Sequence, residues 1–231
     1  MKTEGGSDAA KRRAGESAAD LVVDGDVVGL GTGSTAAHAI RALGREVDAG
    51  LDVHGVPTSF DARRLAREAG VPLLALDEAM DAGGIDLAID GADQVADGDL
   101  VKGGGAAHAR EKVVDAAAAR FVVVADPSKE ADALSHPVPV ELLPDALPTV
   151  EAALRAAGGE PALRTAERKD GPVVTDNGNL VVDCDFGRID SPEALARTLS
   201  ATPGVVEHGL FVALADEVHV GTADGVRVRE L

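Results

Sequence analysis

Residues 90–112, DGADQVADGDLVKGGGAAHAREK, hold the side chains that chemistry on a small anion requires. Two carboxylates, Asp90 and Asp93, flank Gly91 and Ala92 directly after an apolar run at residues 85–89. Lys102 precedes Gly103, Gly104 and Gly105, and a helical pattern then carries Glu111 and Lys112. Three glycines in a row leave backbone N–H groups open to a ligand, with no Cβ in the way. Just before a helix start, such groups and the helix dipole favour an anion. Glu111, expected in the second turn of a helix over residues 106–119, can reach a pocket as a general base. Lys102 at the loop entrance can offset charge that develops on an oxygen. Taken alone, the glycine run and the Asp-Gly-Ala-Asp run each read better as turns, because Gly and Asp are turn residues. Both in one segment favour a site.

A second anion loop precedes it. GTGST at residues 31–35 follows an apolar strand pattern, DVVGL, and leads into a helical pattern, AAHAIRALGREV. Strand, glycine–hydroxyl loop and helix place N–H groups and the hydroxyls of Thr32, Ser34 and Thr35 around a phosphate, with Gly33 giving close approach. A Walker A loop is excluded because no Lys ends the motif, and the dinucleotide fingerprint fails because Ser34 stands at its third glycine. The bland alternative is a tight turn with Ser34 as the helix N-cap.

These loops need elements to carry them. Ser7 is expected to cap a first amphipathic helix that Gly25 ends. Strands are expected at residues 26–30, 51–56, 71–76, 85–89 and 121–125, alternating with helices, one of them capped by Ser59. That alternation predicts an α/β fold with a parallel sheet covered on both faces, whose ligands bind beyond the carboxyl ends of strands. All four candidate loops are expected at such ends: after Leu30, after Ile89, around Lys102, and after Ala125, where Lys129 lies. Beyond residue 131 the order becomes β-α-β-β-α-β, the ferredoxin-like arrangement. Its elements are expected at 137–142, 149–157, 161–166, 179–185 (after an Asn177-Gly178 turn), a Ser191-capped helix to Ala201, and 205–211. Residues 217–228 read as a hairpin turning at Asp224-Gly225. The expected division is an α/β domain at 1–131 and 209–231, with a ferredoxin-like α+β domain at 132–208.

The chain's 231 residues carry a formal net charge of −18, which argues against nucleic acid and anionic membrane surfaces as partners. The acidity is dispersed, and Arg outnumbers Lys, a balance suited to a salt-loving organism in which high salt screens self-repulsion. Loss of structure at low salt would support that expectation, and full stability there would sink it. The single cysteine, Cys184, excludes an intrachain disulfide, fits a reducing, cytoplasmic setting and reads as a packed strand residue. The sequence shows no secretory h-region and no apolar run of membrane-spanning length. Its six histidines make no metal-ligand pair at H-x-x-x-H spacing. His108 and Lys112 read as packed or solvated helix residues.

Together GLGTGST at 29–35, DGAD at 90–93, KGGG at 102–105 with REK at 110–112, and Lys129 after Asp126 resemble the type A ribose-5-phosphate isomerases. The stretches TDNGNLVVD and PGVVEHGLF extend the resemblance over nearly the whole chain. It implies a cofactor-free, metal-free aldose–ketose isomerase of the non-oxidative pentose phosphate pathway, working through an enediolate. It implies a Rossmann-like domain with a ferredoxin-like insert, in homodimers or homotetramers. By matching position, it implies Glu111 as the proton-transferring base, Asp90 as an aid to ring opening, Lys102 as the enediolate's stabiliser and Asp93 as an orienter of hydroxyls. Thr32, Gly33, Ser34, Thr35, Gly91, Ala92, Gly103, Gly104, Gly105 and Lys129 are then substrate contacts. Gln94 departs from the Glu that many members carry. Two other classes share related scaffolds: a sugar-phosphate-binding regulatory module, and an amino-sugar-phosphate deaminase or acyl-CoA transferase. The short chain before the first strand and the strong acidity oppose a DNA-binding regulator. The paired Asp-Gly-Ala-Asp and Lys-Gly-Gly-Gly motifs oppose the third class.

Overall fold

The computed structural model describes residues 6–168 and 170–231. In chain order its elements are α1 Asp8–Ala19, β1 Val27–Leu30, α2 Ala36–Asp48, β2 His54–Pro57, α3 Phe60–Glu68, α4 Leu76–Asp81, β3 Leu87–Gly91, β4 Gln94–Ala96, β5 Asp99–Val101, α5 His108–Ala117, β6 Phe121–Ala125, β7 Val138–Leu142, α6 Leu147–Ala156, β8 Glu160–Leu163, β9 Leu180–Asp185, α7 Pro192–Ser200, β10 Val205–His208, β11 Leu210–Phe211, β12 Glu217–Gly221 and β13 Val226–Glu230. They fall into two compact units. The first holds residues 6–92, Arg110–Glu130 and Leu214–Leu231; the second holds Asp93–Ala109 and Ala131–Ala213.

The first unit is built on a six-stranded sheet in the order β13-β12-β6-β3-β1-β2. Its strands are parallel except β13, which turns back on β12 as the expected hairpin. Every residue of β6 is buried, as a strand covered on both faces demands. The core joins Val28, Leu30, Ile89, Val122 and Val124 of the sheet to small and branched residues of α1, α2 and α3. Ser7 and Ser59 cap α1 and α3 as expected, their hydroxyls accepting from Ala10 N at 3.1 Å and Ala62 N at 3.0 Å. The strand expected at residues 71–76 does not form. Leu73 makes one bridge to Gly55, and the chain then enters α4, because the Glu78 carboxylate accepts from Ala75 N at 2.7 Å and starts a helix there.

The second unit contains an antiparallel sheet in the order β10-β7-β9-β8, connected β7-α6-β8-β9-α7-β10, which is the ferredoxin-like order expected. Val138, Val140, Leu142, Val182 and Cys184 face Val150, Leu154 and Leu199 of its helices. Burial pushes the Cys184 thiol up to about 12, so it is a packed residue and not a nucleophile. The unit also takes in residues 93–109 and 209–213, which the sequence pattern assigns to the α/β domain. The cause is a second, three-stranded sheet, β11-β5-β4. Its β4–β5 hairpin turns at Asp97 and Gly98, with φ of 48° and 89°, the left-handed pair of a tight hairpin turn. The strand expected at 205–211 is two strands in different sheets. Gly209 parts them: its N–H donates to Pro139 O at 2.7 Å and its carbonyl accepts from Lys102 N at 2.8 Å.

Candidate active site

In the first unit, β1, β2, β3 and β6 run parallel, so the segments after Leu30, Pro57, Gly91 and Ala125 all leave the same edge of the sheet. Asp90, near the end of β3, is fully buried. Its Oδ1 accepts from Thr32 N at 3.0 Å and from Gly91 N at 2.6 Å. A Cβ on Gly31 would lie 2.2 Å from that oxygen, so only glycine lets β1 pass the carboxylate. The Thr32 hydroxyl lies 2.9 Å from Thr58 Oγ1 and 2.7 Å from Ser59 Oγ. Thr58 and Ser59 thus join a hydroxyl cluster with Thr32, whereas the sequence pattern gives Ser59 a capping role only. Their signal is the same sheet-end rule, applied to β2. The turn does not use Ser34 as a cap. Thr35 occupies the N-cap of α2, makes no side-chain cap bond and is buried, whereas Ser34 is exposed. Gly33 has φ of 115°, a conformation that favours glycine.

Glu111 belongs to the first unit and is 3% exposed. It lies in the first turn of α5 and not the second, because the helix begins at His108. Lys129, also buried, ends a 3-10 turn capped by Asp126, whose Oδ1 accepts from Ser128 N at 2.9 Å.

Asp93, Lys102 and the three glycines belong to the second unit. Their loop does not follow a strand of the parallel sheet, contrary to expectation; it leaves β5 of the three-stranded antiparallel sheet. Lys102 is 1% exposed, and its Nζ lies 5.3 Å from the centre of the Phe211 ring, a cation–π distance. Gly103 has φ of 103°, and a Cβ there would meet His108 Nδ1 at 2.7 Å, so buried His108 packs against the loop. Asp93 Oδ2 accepts from Gly104 N at 2.6 Å. Arg164 donates to Gly103 O at 3.0 Å and Gly104 O at 3.4 Å, and pairs with Asp183. Sequence reasoning misses Arg164 and Asp183, because nothing local links them to residues 102–105. Gln94 ties its hairpin to the chain after β6. Its Oε1 accepts from Ser135 N at 2.7 Å and His136 N at 2.8 Å, and its Nε2 donates to Ser135 Oγ at 3.3 Å. A Glu would lack that donor.

Comparison with known proteins gives a consistent picture. The family model for ribose 5-phosphate isomerase A (phosphoriboisomerase A) matches residues 54–225. The ribose-5-phosphate isomerase A of Halorubrum lacusprofundi is 71% identical over 237 residues, covering 99% of each chain. That of Haloarcula marismortui is 70% identical over 228 residues, covering 99% of this chain and 98% of its own. Both come from halophilic archaea, in keeping with the dispersed acidity. The structure of ribose 5-phosphate isomerase A from Methanocaldococcus jannaschii superimposes with a TM-score of 0.91 at 44% identity, over 96% of this chain and 98% of the other. A D-ribose-5-phosphate isomerase in complex with phospho-erythronic acid superimposes with a TM-score of 0.92 at 41% identity, over the same shares. No helix among the described residues is long and apolar enough to cross a membrane.

Proposed function

The chain belongs to the ribose 5-phosphate isomerase A family, and from that premise we propose that it interconverts ribose 5-phosphate and ribulose 5-phosphate through an enediolate. The observation that carries the reading is burial. Within residues 90–111, Asp90, Lys102 and Glu111 are at 0%, 1% and 3% exposure. Charged side chains are seldom so buried unless they are paired, and two acids and a lysine buried within one short segment, of the types a proton transfer needs, support an active site.

The reaction moves one proton between adjacent carbons. Glu111 takes the proton from C2 of the open-chain aldose while the C1 carbonyl oxygen gains the electron pair. The resulting enediolate accepts the proton back at C1, and the C2 oxygen becomes the ketone. One carboxylate serves as base and then as acid. The hard part is the charge on the enediolate oxygen, which the Lys102 ammonium offsets with a fixed positive charge. Asp90 assists ring opening and the proton shift between oxygens. Its Oδ1 is held by two N–H groups. Asp93 orients sugar hydroxyls. The Thr32–Thr35 loop, Gly91, Ala92, the glycines and Lys129 hold the substrate, and Thr58 and Ser59 join Thr32 in that role. The reading extends to a cofactor-free homodimer or homotetramer in the cytoplasm, acting in the non-oxidative pentose phosphate pathway.

The test is ribulose 5-phosphate formation in molar potassium chloride with a chelator, for wild type and Glu111→Gln. Loss of general base catalysis predicts a fall in kcat of about 100- to 10,000-fold with substrate binding retained. Activity surviving the substitution would remove Glu111 as the base. An inactive, folded wild type would remove the isomerase.

A further inference from the structure

We infer that Arg164, clamped by Asp183, is a positioning residue for the Lys102–glycine loop, setting the direction in which the loop's N–H groups point. The inference rests on the isomerase reading and adds to it two residues that no catalytic motif contains.

The geometry lies wholly within the second unit. Arg164 follows β8, and Asp183 lies on β9, which pairs with β8. The Arg164 Nε donates to Asp183 Oδ2 at 2.8 Å, and its Nη2 donates to Asp183 Oδ1. This two-bonded fork fixes the guanidinium plane. Burial pushes the Asp183 carboxyl up, but its hydrogen bonds and charge interaction with Arg164 outweigh that and hold it below the usual carboxylate range. The remaining nitrogen, Nη1, donates to Gly103 O and Gly104 O.

Two consecutive carbonyls drawn to one cation have a consequence for the opposite side of the loop. In a trans peptide, C=O and the following N–H point in opposite directions. With the Gly103 carbonyl on Arg164, the Gly104 N–H points away from it and meets Asp93 Oδ2 at 2.6 Å. With the Gly104 carbonyl on Arg164, the Gly105 N–H is likewise turned away from the guanidinium, at a residue that is exposed. The positive ends of two peptide dipoles therefore share one face. That face offers Gly105 N–H to an anion and holds Asp93, the group assigned to sugar hydroxyls. Three glycines have little stiffness of their own. A turn bond from Ala106 N to Gly103 O at 2.9 Å holds part of the loop, and the Arg164 guanidinium on both carbonyls fixes the rest. A pair serving only to join β8 to β9 would have no use for the third guanidinium nitrogen on the loop carbonyls.

The test compares Arg164→Ala, Arg164→Lys and Asp183→Asn with wild type in isomerase turnover, thermal melting and rescue by millimolar methylguanidinium. Loss of a support behind an anion-stabilising group predicts a kcat lower by about 10- to 100-fold in Arg164→Ala, with KM changed by less than about threefold. Arg164→Lys keeps the charge but cannot bridge both carbonyls and the carboxylate, so its kcat falls between wild type and Arg164→Ala. Methylguanidinium should restore part of the kcat of Arg164→Ala and none of that of Lys102→Ala. If Arg164→Ala does not fold, Asp183→Asn, which keeps the shape, decides by the same kcat–KM split. Folded variants with wild-type kcat, or with losses in melting temperature alone, overturn the inference while leaving the isomerase standing. An inactive wild type removes both.

Discussion

Asp90 is held by its own neighbourhood. β1 and β3 run side by side, the loop after β1 folds over the end of β3, and Thr32 N–H reaches the carboxylate. Lys102 and its glycines are held from far along the chain: Phe211 under the ammonium, Gly209 on the lysine's N–H, Arg164 on the glycine carbonyls. Both regions bury a charge beside a glycine-rich turn. The first does so with the general geometry of a parallel α/β sheet, which supplies N–H groups at strand ends in any such fold. The second has no parallel sheet beneath it, so a small antiparallel sheet and a distant arginine set its shape. A supported strand end needs only local sequence, whereas a supported loop needs partners.

Two glycine substitutions put that contrast to the test and carry its largest effects. A Cβ at Gly31 would lie 2.2 Å from Asp90 Oδ1, and a Cβ at Gly209 would lie 2.1 Å from Lys102 O. Gly31→Ala and Gly209→Ala should each cost about 1–3 kcal/mol of stability as the backbone shifts. Both should also lower kcat, the first by displacing Asp90 and the second by displacing Lys102, although Gly209 lies 107 positions further along the chain. Urea unfolding and turnover measured on both variants check this. A Gly209→Ala protein with wild-type kcat would show that the Lys102 loop does not depend on its distant supports.

A smaller effect concerns pH. The Asp183 carboxyl is depressed in the folded chain, so its contribution is fully present above the unfolded carboxylate pKa of about 3.9. It is lost as pH falls through the lower folded value. The melting temperature of Asp183→Asn should lie below that of wild type at pH 7, and the gap should close as pH drops below about 4. A gap that stays constant down to acid pH would mean that the Arg164–Asp183 pair does not support its sheet through charge.

The same contrast explains what is legible in the sequence. β6 is legible to the residue because five consecutive apolar positions admit one reading. The Asp90 cradle is legible because glycine, hydroxyl and carboxylate recur at the ends of such strands. The β4–β5 hairpin escapes notice, although Asp97-Gly98 between short apolar runs is its signal. Neighbouring chemistry draws that segment into a loop. The strand expected at 205–211 misleads because Gly209 looks like any glycine in an apolar run, and its hydrogen bonds to Pro139 and Lys102 are invisible to pattern. Residues 71–76 mislead because a valine–leucine run outweighs the acidic cap at Glu78. Arg164 and Asp183 have no local signal, since their meaning lies in the carbonyls they reach.

The most direct measurement follows the proton itself. Ribose 5-phosphate incubated in deuterium oxide with wild type should gain deuterium at C2 as the substrate pool recycles through the enediolate, because the proton on the Glu111 carboxyl exchanges with solvent while the enediolate is bound. With folded Glu111→Gln, that incorporation should fall in step with isomerisation. Deuterium entering C2 at the wild-type rate in Glu111→Gln would contradict the account, since another group would then be moving the proton.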